Sequence, residues 1–304
     1  MMKTNGYIDL QVNGYLGVDF TDAGLKEEDL IRVSRQLLEA GCGAFLPTVI
    51  TAPEAVYERN LAMIANVMKR PEFAGRILGI HVEGPFLSDK PGAVGAHDPK
   101  SVRPPTAEFF DRMRRWSDDS IRLITIAAEV PGAAALTRHA VGAGVAVSLG
   151  HQLATYDQLC VCRDAGATLL THLGNGMPNE VNRHRNPLLA GLSVDGLTAM
   201  MIADGHHLPK ELLNVMIRAK GLDHALVVSD ASSLAGMPPG RYYSMGNDVV
   251  IEENGYLHNP AKGCLVGSSA TIAGCVKVLR EIGLSEEEIR ILAIRNPLRA
   301  IGLE

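Results

Sequence analysis

The chain has 304 residues and a formal net charge of −5 at pH 7, which gives no support to a nucleic-acid-binding surface, so no nucleic-acid partner is expected. Hydrophobic residues make up 46% of the chain and charged residues 21%, which suits a folded domain with a sizeable core. No stretch approaches the roughly 20 apolar residues that cross a bilayer, and the first residues lack the apolar run of a secretory signal. Without a long apolar stretch, no membrane association is expected. The five cysteines form no Cys-x-x-Cys pair, so we expect reduced thiols and a cytoplasmic location.

Short apolar runs alternate with helix-length amphipathic segments along the whole chain, which indicates βαβ units and a parallel sheet. Continuous apolar runs of this kind are typical of strands buried on both faces. Eight strands are predicted, at 7–12, 44–49, 77–82, 121–127, 145–149, 168–170, 198–202 and 225–228. Helices are predicted at 27–40, 53–69, 106–116, 132–143, 155–165, 209–219, 270–282 and 285–294.

Eight such units in this length predict a closed (β/α)₈ TIM barrel, with residues 1–304 forming a single catalytic domain. The segment 231–267 follows the last predicted strand and is predicted to be irregular. Within it, Glu253-Asn254-Gly255 is typical of a hairpin tip.

Polar side chains follow the predicted strands at the point where each strand ends. All these ends meet at one rim of a (β/α)₈ barrel, where active sites are built. The residues in chain order are Gln11 and Asn13, Thr48, His81 and Glu83, Glu129, His151, His172, Asp204 with His206 and His207, and Asp230. Histidine and carboxylate side chains at successive strand ends can therefore share one cavity.

Histidine, glutamate and aspartate are ligands for a borderline divalent metal such as zinc, and a catalytic metal of this kind activates water. We predict Glu83, His151 and His172 as the metal ligands. Asp230 would act as general base toward the water and then as general acid toward the leaving nitrogen. Such a site is suited to hydrolysis of an amide.

Each of these residues also has a plain structural interpretation. A single histidine can be a hydrogen-bonded core residue, Glu83 a solvated loop carboxylate, and Asp230 a helix N-cap before Ala231. His81 could support a metal ligand instead of binding the metal.

Two weaker signals concern anions. Gly267-Ser268-Ser269 could offer backbone N–H groups to an anion or form an ordinary N-cap. The loop containing Arg183, His184 and Arg185 could hold a phosphate or be a solvated loop.

Several motifs together resemble the N-acetylglucosamine-6-phosphate deacetylases of the amidohydrolase superfamily, in family order from about Tyr7 to Leu303. The segments that carry this resemblance are His81-Val82-Glu83-Gly84-Pro85-Phe86, Gly95-Ala96-His97, Ser148-Leu149-Gly150-His151, Thr171-His172-Leu173, Ala203-Asp204-Gly205-His206-His207, Ser229-Asp230-Ala231 and Leu265-Val266-Gly267-Ser268-Ser269.

The resemblance implies deacetylation of N-acetylglucosamine 6-phosphate to glucosamine 6-phosphate and acetate, usually by a homodimer. It implies Glu83, His151 and His172 as ligands of one divalent metal per subunit, with zinc expected first and Fe²⁺, Mn²⁺ or Co²⁺ as alternatives. Asp230 would be the catalytic acid and base. The implied substrate-binding residues are His97, Asn175, Gly176, Arg185, His207, Gly267 and Ser268.

Three features depart from the family pattern. Gln11 and Asn13 stand where many amidohydrolases carry a His-x-His pair for a second metal, so we predict a single metal. Leu173-Gly174-Asn175-Gly176 and the loop 179–186 differ from the usual phosphate-binding segments, which keeps open an amidohydrolase acting on another N-acyl sugar or a cyclic amide. A non-catalytic sugar-phosphate-binding barrel is the third hypothesis, although such a binder need not keep a metal and a base. The small β-sandwich typical of the family is not expected.

Overall fold

The computed structural model describes residues 6–244, 247–261 and 263–304. Eight parallel strands form one sheet, and each strand pairs with the next in chain order. They are β1 (Tyr7–Val12), β2 (Cys42–Ile50), β3 (Ile80–Glu83), β4 (Ile121–Ile126), β5 (Ala146–Leu149), β6 (Leu169–Leu170), β7 (Thr198–Ile202) and β8 (Ala225–Val228). A parallel bridge between Val12 and Ala231 joins the two edges of the sheet. The predicted (β/α)₈ barrel is therefore confirmed.

Helices cover the outside of the barrel. They are α1 (Glu27–Glu39), α2 (Glu54–Met68), α3 (Ala107–Trp116), α4 (Ala133–Gly142), α5 (Tyr156–Asp164), α6 (Pro187–Ser193), α7 (Lys210–Lys220), α8 (Ile272–Glu281), α9 (Glu286–Arg290) and α10 (Asn296–Ala300), with a π-helical turn at Ile291–Arg295 and 3₁₀ turns at Pro71–Phe73, Pro99–Ser101 and Leu222–His224. A two-residue hairpin, Gly14–Tyr15 with Val18–Asp19, follows β1.

Two parts of the chain differ from the sequence prediction. Helix α6 was not predicted because it has only seven residues, although Asn186 caps it and Pro187 opens it. The segment 231–267 was predicted to be irregular, and this is wrong. It contains a four-stranded antiparallel sheet of β9 (Gly240–Ser244), β10 (Asn247–Ile251), β11 (Leu257–Asn259) and β12 (Cys264–Leu265).

This small sheet has its own apolar cluster, made of Leu234, Val249, Ile251, Leu257 and Val266. Its strands are too short to leave a periodic pattern in the sequence. The predicted hairpin tip is confirmed, because Ile251 pairs with Leu257 on either side of 252–256.

The barrel interior is layered. Its floor is apolar and includes Leu10, Leu46, Leu123, Met200 and Leu226. Above the floor lies a hydrogen-bonded polar layer. His81 Nε2 lies 2.8 Å from Thr125 Oγ1, Thr125 Oγ1 lies 2.8 Å from Thr171 Oγ1, and Thr171 Oγ1 lies 2.5 Å from Ser148 Oγ. This layer supports the strand-end residues from below.

Candidate active site

A cavity of about 500 Å³ opens at the carboxyl ends of the barrel strands. Its wall comes from the strand ends, the loops at 92–97 and 174–179, and the small antiparallel sheet. The polar side chains that line it are Asn13, Asp19, Glu83, His97, His151, His172, Asn175, Asn179, His207, Asp230, Ser232, Ser233 and Tyr256. Of the predicted strand-end residues, six line this cavity and six do not. Those outside its lining are Gln11, Thr48, His81, Glu129, Asp204 and His206.

Glu83 and three histidines form a compact cluster in the floor of this cavity. His172 Nε2 lies 2.9 Å from Glu83 Oε1 and 3.0 Å from His151 Nε2. His151 Nε2 lies 3.1 Å from both Glu83 Oε1 and His97 Nε2. Glu83, His97 and His151 can bring three ligand atoms within 4.8 Å of one another. Nitrogen and carboxylate donors this close, and buried, are the chemistry of a divalent metal site.

Hydrogen bonds at the far side of two rings indicate which ring nitrogen carries a proton. His151 Nδ1 lies 2.8 Å from the carbonyl oxygen of Ala93, so it must donate, which leaves Nε2 with a free lone pair. His97 Nδ1 instead accepts from the Thr51 backbone N–H, which places the proton of a neutral His97 ring on Nε2. Burial lowers the pKa of His97 to about 3, so the ring is neutral. In these tautomers His151 Nε2 has a lone pair that can accept a hydrogen bond or bind a metal, and His97 Nε2 can donate a hydrogen bond.

The charge of Glu83 is stabilised by its histidine neighbours. Burial opposes ionisation, but the contacts and charge interactions with His151 and His172 outweigh it and hold the pKa of Glu83 well below its usual value. For His172, burial lowers the pKa, while the hydrogen bond with Glu83 raises it and prevails. Glu83 therefore stays ionised, as a metal-binding carboxylate must. The second ring nitrogen of His172, Nδ1, is buried without a partner among the described residues.

Asp230 is held by two side-chain amides from β1 and the residue after it. Gln11 Nε2 and Asn13 Nδ2 both donate to Asp230 Oδ1, at 3.0 and 2.7 Å. Burial and the negative charge of Glu83 raise the pKa of Asp230. A carboxylate that is desolvated and fixed in position is suited to exchange protons with a substrate. No helix begins at Ala231, so the N-cap interpretation of Asp230 fails.

Three of these strand-end residues have a backbone conformation that L-residues seldom adopt. His151, His172 and Asp230 have φ of 51°, 26° and 51°. Such left-handed conformations are strained and are concentrated at functional sites, where the surrounding structure holds them. The turn at each strand end thereby points its side chain into the common cavity.

A second buried carboxylate orients His207. Asp204 Oδ2 accepts from His207 Nδ1 at 2.8 Å and from Ser268 Oγ at 2.8 Å. Asp204 Oδ1 accepts the backbone N–H groups of His206 and His207, each at 2.9 Å. Burial opposes its charge, but the hydrogen bond from His207 prevails and holds the pKa of Asp204 well below its ordinary value. His207 therefore presents its other ring nitrogen, Nε2, to the cavity.

Curated relatives with the same barrel cover almost the whole chain. An N-acetylgalactosamine-6-phosphate deacetylase of Escherichia coli O157:H7 is 32% identical over 98% of this chain and 78% of its own length. The N-acetylglucosamine-6-phosphate deacetylase of Homo sapiens is 34% identical over 98% of this chain and 74% of its own length. The chain belongs to the N-acetylglucosamine-6-phosphate deacetylase family. No protein-family model matches it.

Solved structures agree with this membership of the deacetylase family. N-acetyl-D-glucosamine-6-phosphate deacetylase from Mycobacterium smegmatis superposes with a TM-score of 0.88 at 29% identity, over 99% of this chain and 78% of that one. A point mutant of that enzyme, in complex with N-acetyl-D-glucosamine-6-phosphate, gives a TM-score of 0.85 at 28% identity and the same coverage. A phosphotriesterase from Mycobacterium tuberculosis, at 15% identity and a TM-score of 0.55, shares the fold alone. The chain is therefore an amide hydrolase of this deacetylase family on an amidohydrolase barrel.

The remaining predicted site residues fall into two groups. Asn175, Gly176 and Gly267 line the cavity. Gly176 lies so close to His151 that a Cβ there would come within 2.9 Å of His151 Nδ1. Ser268 is buried behind the wall on Asp204, and the cap of α8 is Thr271, so Ser268 is no N-cap. Arg185 is exposed and does not line the cavity.

Sequence reasoning did not single out four polar residues that line the cavity, Asp19, Ser232, Ser233 and Tyr256. None of them ends a barrel strand, which was the signal used. Asp19 belongs to the hairpin after β1, and Tyr256 belongs to the hairpin tip of the small sheet. Only the prediction of that tip could have drawn attention to Tyr256.

Proposed function

We propose that this member of the deacetylase family removes the acetyl group from an N-acetylated amino sugar 6-phosphate, with N-acetylglucosamine 6-phosphate as the first candidate. One observation carries the proposal. A half-buried carboxylate, Asp230, lines the same cavity of about 500 Å³ as the Glu83–His151–His172 cluster and interacts electrostatically with Glu83 and His172. That volume lies within the usual range for small-molecule binding sites. The N-acetylgalactosamine-6-phosphate deacetylase among the relatives makes the galacto epimer the second candidate.

The residues present fit a divalent metal, and we propose Glu83, His151 and His172 as its ligands. His172 Nε2 contacts both other ligand atoms, whereas His97 Nε2 contacts only that of His151 among these groups. The tautomer of His97 favours the same division, because its Nε2 carries the proton. We propose one metal per subunit, with zinc first. Such a metal would supply a lowered water pKa and polarisation of the amide carbonyl.

The chain's own residues supply the proton transfers. Because Asp230 Oδ1 is occupied by Gln11 and Asn13, Oδ2 is the oxygen that accepts a proton from the attacking water. The same oxygen returns the proton to the amide nitrogen as the C–N bond breaks, which releases acetate and the free amine. With the metal bound to His151, the Nε2–H of His97 would be free to donate to the carbonyl oxygen as negative charge develops there.

The sugar phosphate would bind to other residues of the same cavity. Asn175, Gly176 and His207 line the cavity, and we propose that they and Gly267 bind the sugar phosphate. Ser268 would act through Asp204, which holds His207. Arg185 lies outside the cavity, so it would reach the phosphate only if the loop that carries it moves inward.

We also propose a cytoplasmic homodimer that binds neither nucleic acid nor membrane. Cys42, Cys160, Cys162 and Cys275 are all unpaired, which suits a reducing compartment. Within the described residues, no helix is both long and apolar enough to cross a membrane. Sedimentation at several protein concentrations tests the dimer.

The deciding experiment is acetate release by the zinc-loaded protein. Its substrates are N-acetylglucosamine 6-phosphate, N-acetylgalactosamine 6-phosphate and unphosphorylated N-acetylglucosamine. We expect fast release from one phosphorylated sugar and slow release from the unphosphorylated one. Asp230→Asn is the matched control, since it should keep the metal and lose turnover. Full metal occupancy without acetate from any of the three would overturn the proposed substrate and favour another N-acyl or cyclic amide compound.

The ligand set has its own test. Metal content measured by mass spectrometry should fall in His172→Gln and stay full in His97→Gln. The reverse result would make Glu83, His97 and His151 the ligands.

A further inference from the structure

Three carboxylates line the cavity, and the structure assigns partners to two of them. Glu83 is bound by His151 and His172, and Asp230 by Gln11 and Asn13. The third, Asp19, accepts one hydrogen bond, from the backbone N–H of Thr21 to Oδ1 at 2.7 Å. Among the described residues, no side chain hydrogen-bonds or forms an ion pair with Asp19. Its second oxygen, Oδ2, is therefore free to accept hydrogen bonds from a molecule in the cavity.

Asp19 occupies a fixed position in the hairpin that follows β1. It pairs with Gly14 in the hairpin after β1, and the next residue, Phe20, donates its N–H to the carbonyl oxygen of Asn13 at 2.9 Å. Asn13 is the residue that holds Asp230. The backbone carbonyl of Asn13 thus holds the hairpin, and its side-chain amide holds Asp230.

The hairpin is also fastened to the loop after β8. Leu16 N and Gly17 N donate to the carbonyl oxygens of Ala235 and Ser233, at 3.0 and 2.7 Å. At Gly14, a Cβ would come within 2.9 Å of the Ser233 Cα, so the close packing requires glycine. A side chain on so constrained a hairpin is positioned in advance, as recognition of a small molecule requires.

The carboxylate of Asp19 has few hydrogen-bond donors around it. Burial raises the pKa of its carboxyl to about 6, with the Thr21 N–H opposing the rise and the charge of Asp22 adding to it. The group is therefore ionised at neutral pH in a partly desolvated setting. A phosphate would be repelled there, whereas neutral O–H donors would be attracted.

We propose that Asp19 binds a ring hydroxyl of the amino sugar through its free carboxylate oxygen and so determines which sugars are accepted. This inference rests on the proposed function, because the ring hydroxyls of that substrate class are the donors it requires. The phosphate would then bind near Asn175 and His207, as proposed above.

The test combines a variant with substrates that lack single hydroxyls. Asp19→Asn preserves the size of the side chain and the oxygen that accepts the Thr21 N–H, and it turns an amide NH₂ toward the cavity. Asp22→Asn is the matched control, because Asp22 Oδ1 accepts the N–H of Gly24 in the same way but the residue is exposed. Thermal unfolding of both variants checks that the hairpin is intact.

Acetate release is measured with N-acetylglucosamine 6-phosphate and its 1-, 3- and 4-deoxy analogues. We expect Asp19→Asn to lower kcat/KM on the parent sugar by roughly tenfold or more, the usual effect of losing a hydrogen bond to a charged group. In the wild-type protein each deoxy analogue should have a lower kcat/KM than the parent sugar. For one analogue this decrease should disappear in Asp19→Asn, because the variant has already lost the hydrogen bond that the missing hydroxyl would make. The decreases for the other two analogues should be the same in both proteins.

The possible results separate the two proposals. If the wild-type protein is active and all three deoxy penalties are the same in wild type and Asp19→Asn, Asp19 does not bind a hydroxyl and only this inference falls. If the metal-loaded wild type releases no acetate from the parent sugar, the proposed function falls and this inference with it. Asp22→Asn should match wild type on every substrate; an equal loss there would mean that the hairpin itself, not a hydroxyl contact, sets the rate.

Discussion

Substitution of Asn13 by leucine tests how the base is held. Asn13 Nδ2 donates the shorter of the two amide hydrogen bonds to Asp230 Oδ1, 2.7 Å against 3.0 Å for Gln11 Nε2. Leucine has a similarly branched side chain without a donor. Burial and the charge of Glu83 already raise the pKa of Asp230, and the hydrogen bond from Asn13 opposes that rise. Asn13→Leu should therefore raise the pKa further.

The size of the effect follows from the strength of such a bond. A hydrogen bond to a charged group contributes about 1.5–3 kcal/mol, and one pKa unit corresponds to about 1.4 kcal/mol. Losing this bond should therefore raise the pKa of Asp230 further. Because Asp230 must be ionised to accept a proton, the fall of kcat/KM on the acid side moves to higher pH by the same amount.

The assay is kcat/KM for acetate release as a function of pH, with metal content measured for each protein. Asn179→Leu is the matched control, since Asn179 lines the same cavity and, among the described residues, makes no hydrogen bond to Asp230. Its acid limb should coincide with that of wild type. If Asn13→Leu lowered activity equally at every pH and left the acid limb in place, Asn13 would not control the ionisation of Asp230.

Three further predictions follow from the buried carboxylates. Glu83→Gln should lose the metal and, with it, acetate release, while Glu129→Gln, at another strand end, keeps both; metal analysis showing full occupancy in the first variant would refute the ligand assignment. Asp204→Asn should lower kcat/KM by about ten- to a hundredfold because His207 loses its fixed orientation, and unchanged kinetics would count against that role. Burial raises the pKa of Asp9 from its ordinary 3.8 to about 7. Between pH 3.8 and about 7, the Asp9 carboxyl is therefore protonated in the folded protein and ionised in the unfolded chain. Wild-type stability should then fall by up to about 4 kcal/mol as pH rises through that window, and urea unfolding of Asp9→Asn should lack this fall; parallel pH dependence of the two proteins would disprove it.

The barrel could be predicted because its strands are continuous apolar runs and its reactive residues end those runs. Glu83, His151, His172 and Asp230 all occupy strand ends, where the fold itself brings them together. The four-stranded sheet escaped prediction because its strands are short and bury one face in a small cluster of their own.

Contacts made by loops were harder to foresee. His97 lies beyond β3 in a loop that returns to the metal cluster, and no spacing in the sequence fixes such a return. The resemblance suggested His97, but only the ring hydrogen bonds show that its Nδ1 accepts from Thr51. Gln11 and Asn13 were predicted either as residues that support the site or as former metal positions, and the structure has both donating to Asp230. Arg185 was predicted in the site, yet it is exposed outside the cavity.

The left-handed backbone at His151, His172 and Asp230 restricts how this site can change in evolution. Histidine, asparagine and aspartate tolerate that conformation better than most residues, and β-branched residues tolerate it least. Backbone geometry therefore limits which residue types these three positions can carry, independently of the reaction. An inactive descendant of this barrel should drift first at Glu83, whose backbone is an ordinary strand, and keep the residue types at the three left-handed positions long after the reaction is lost.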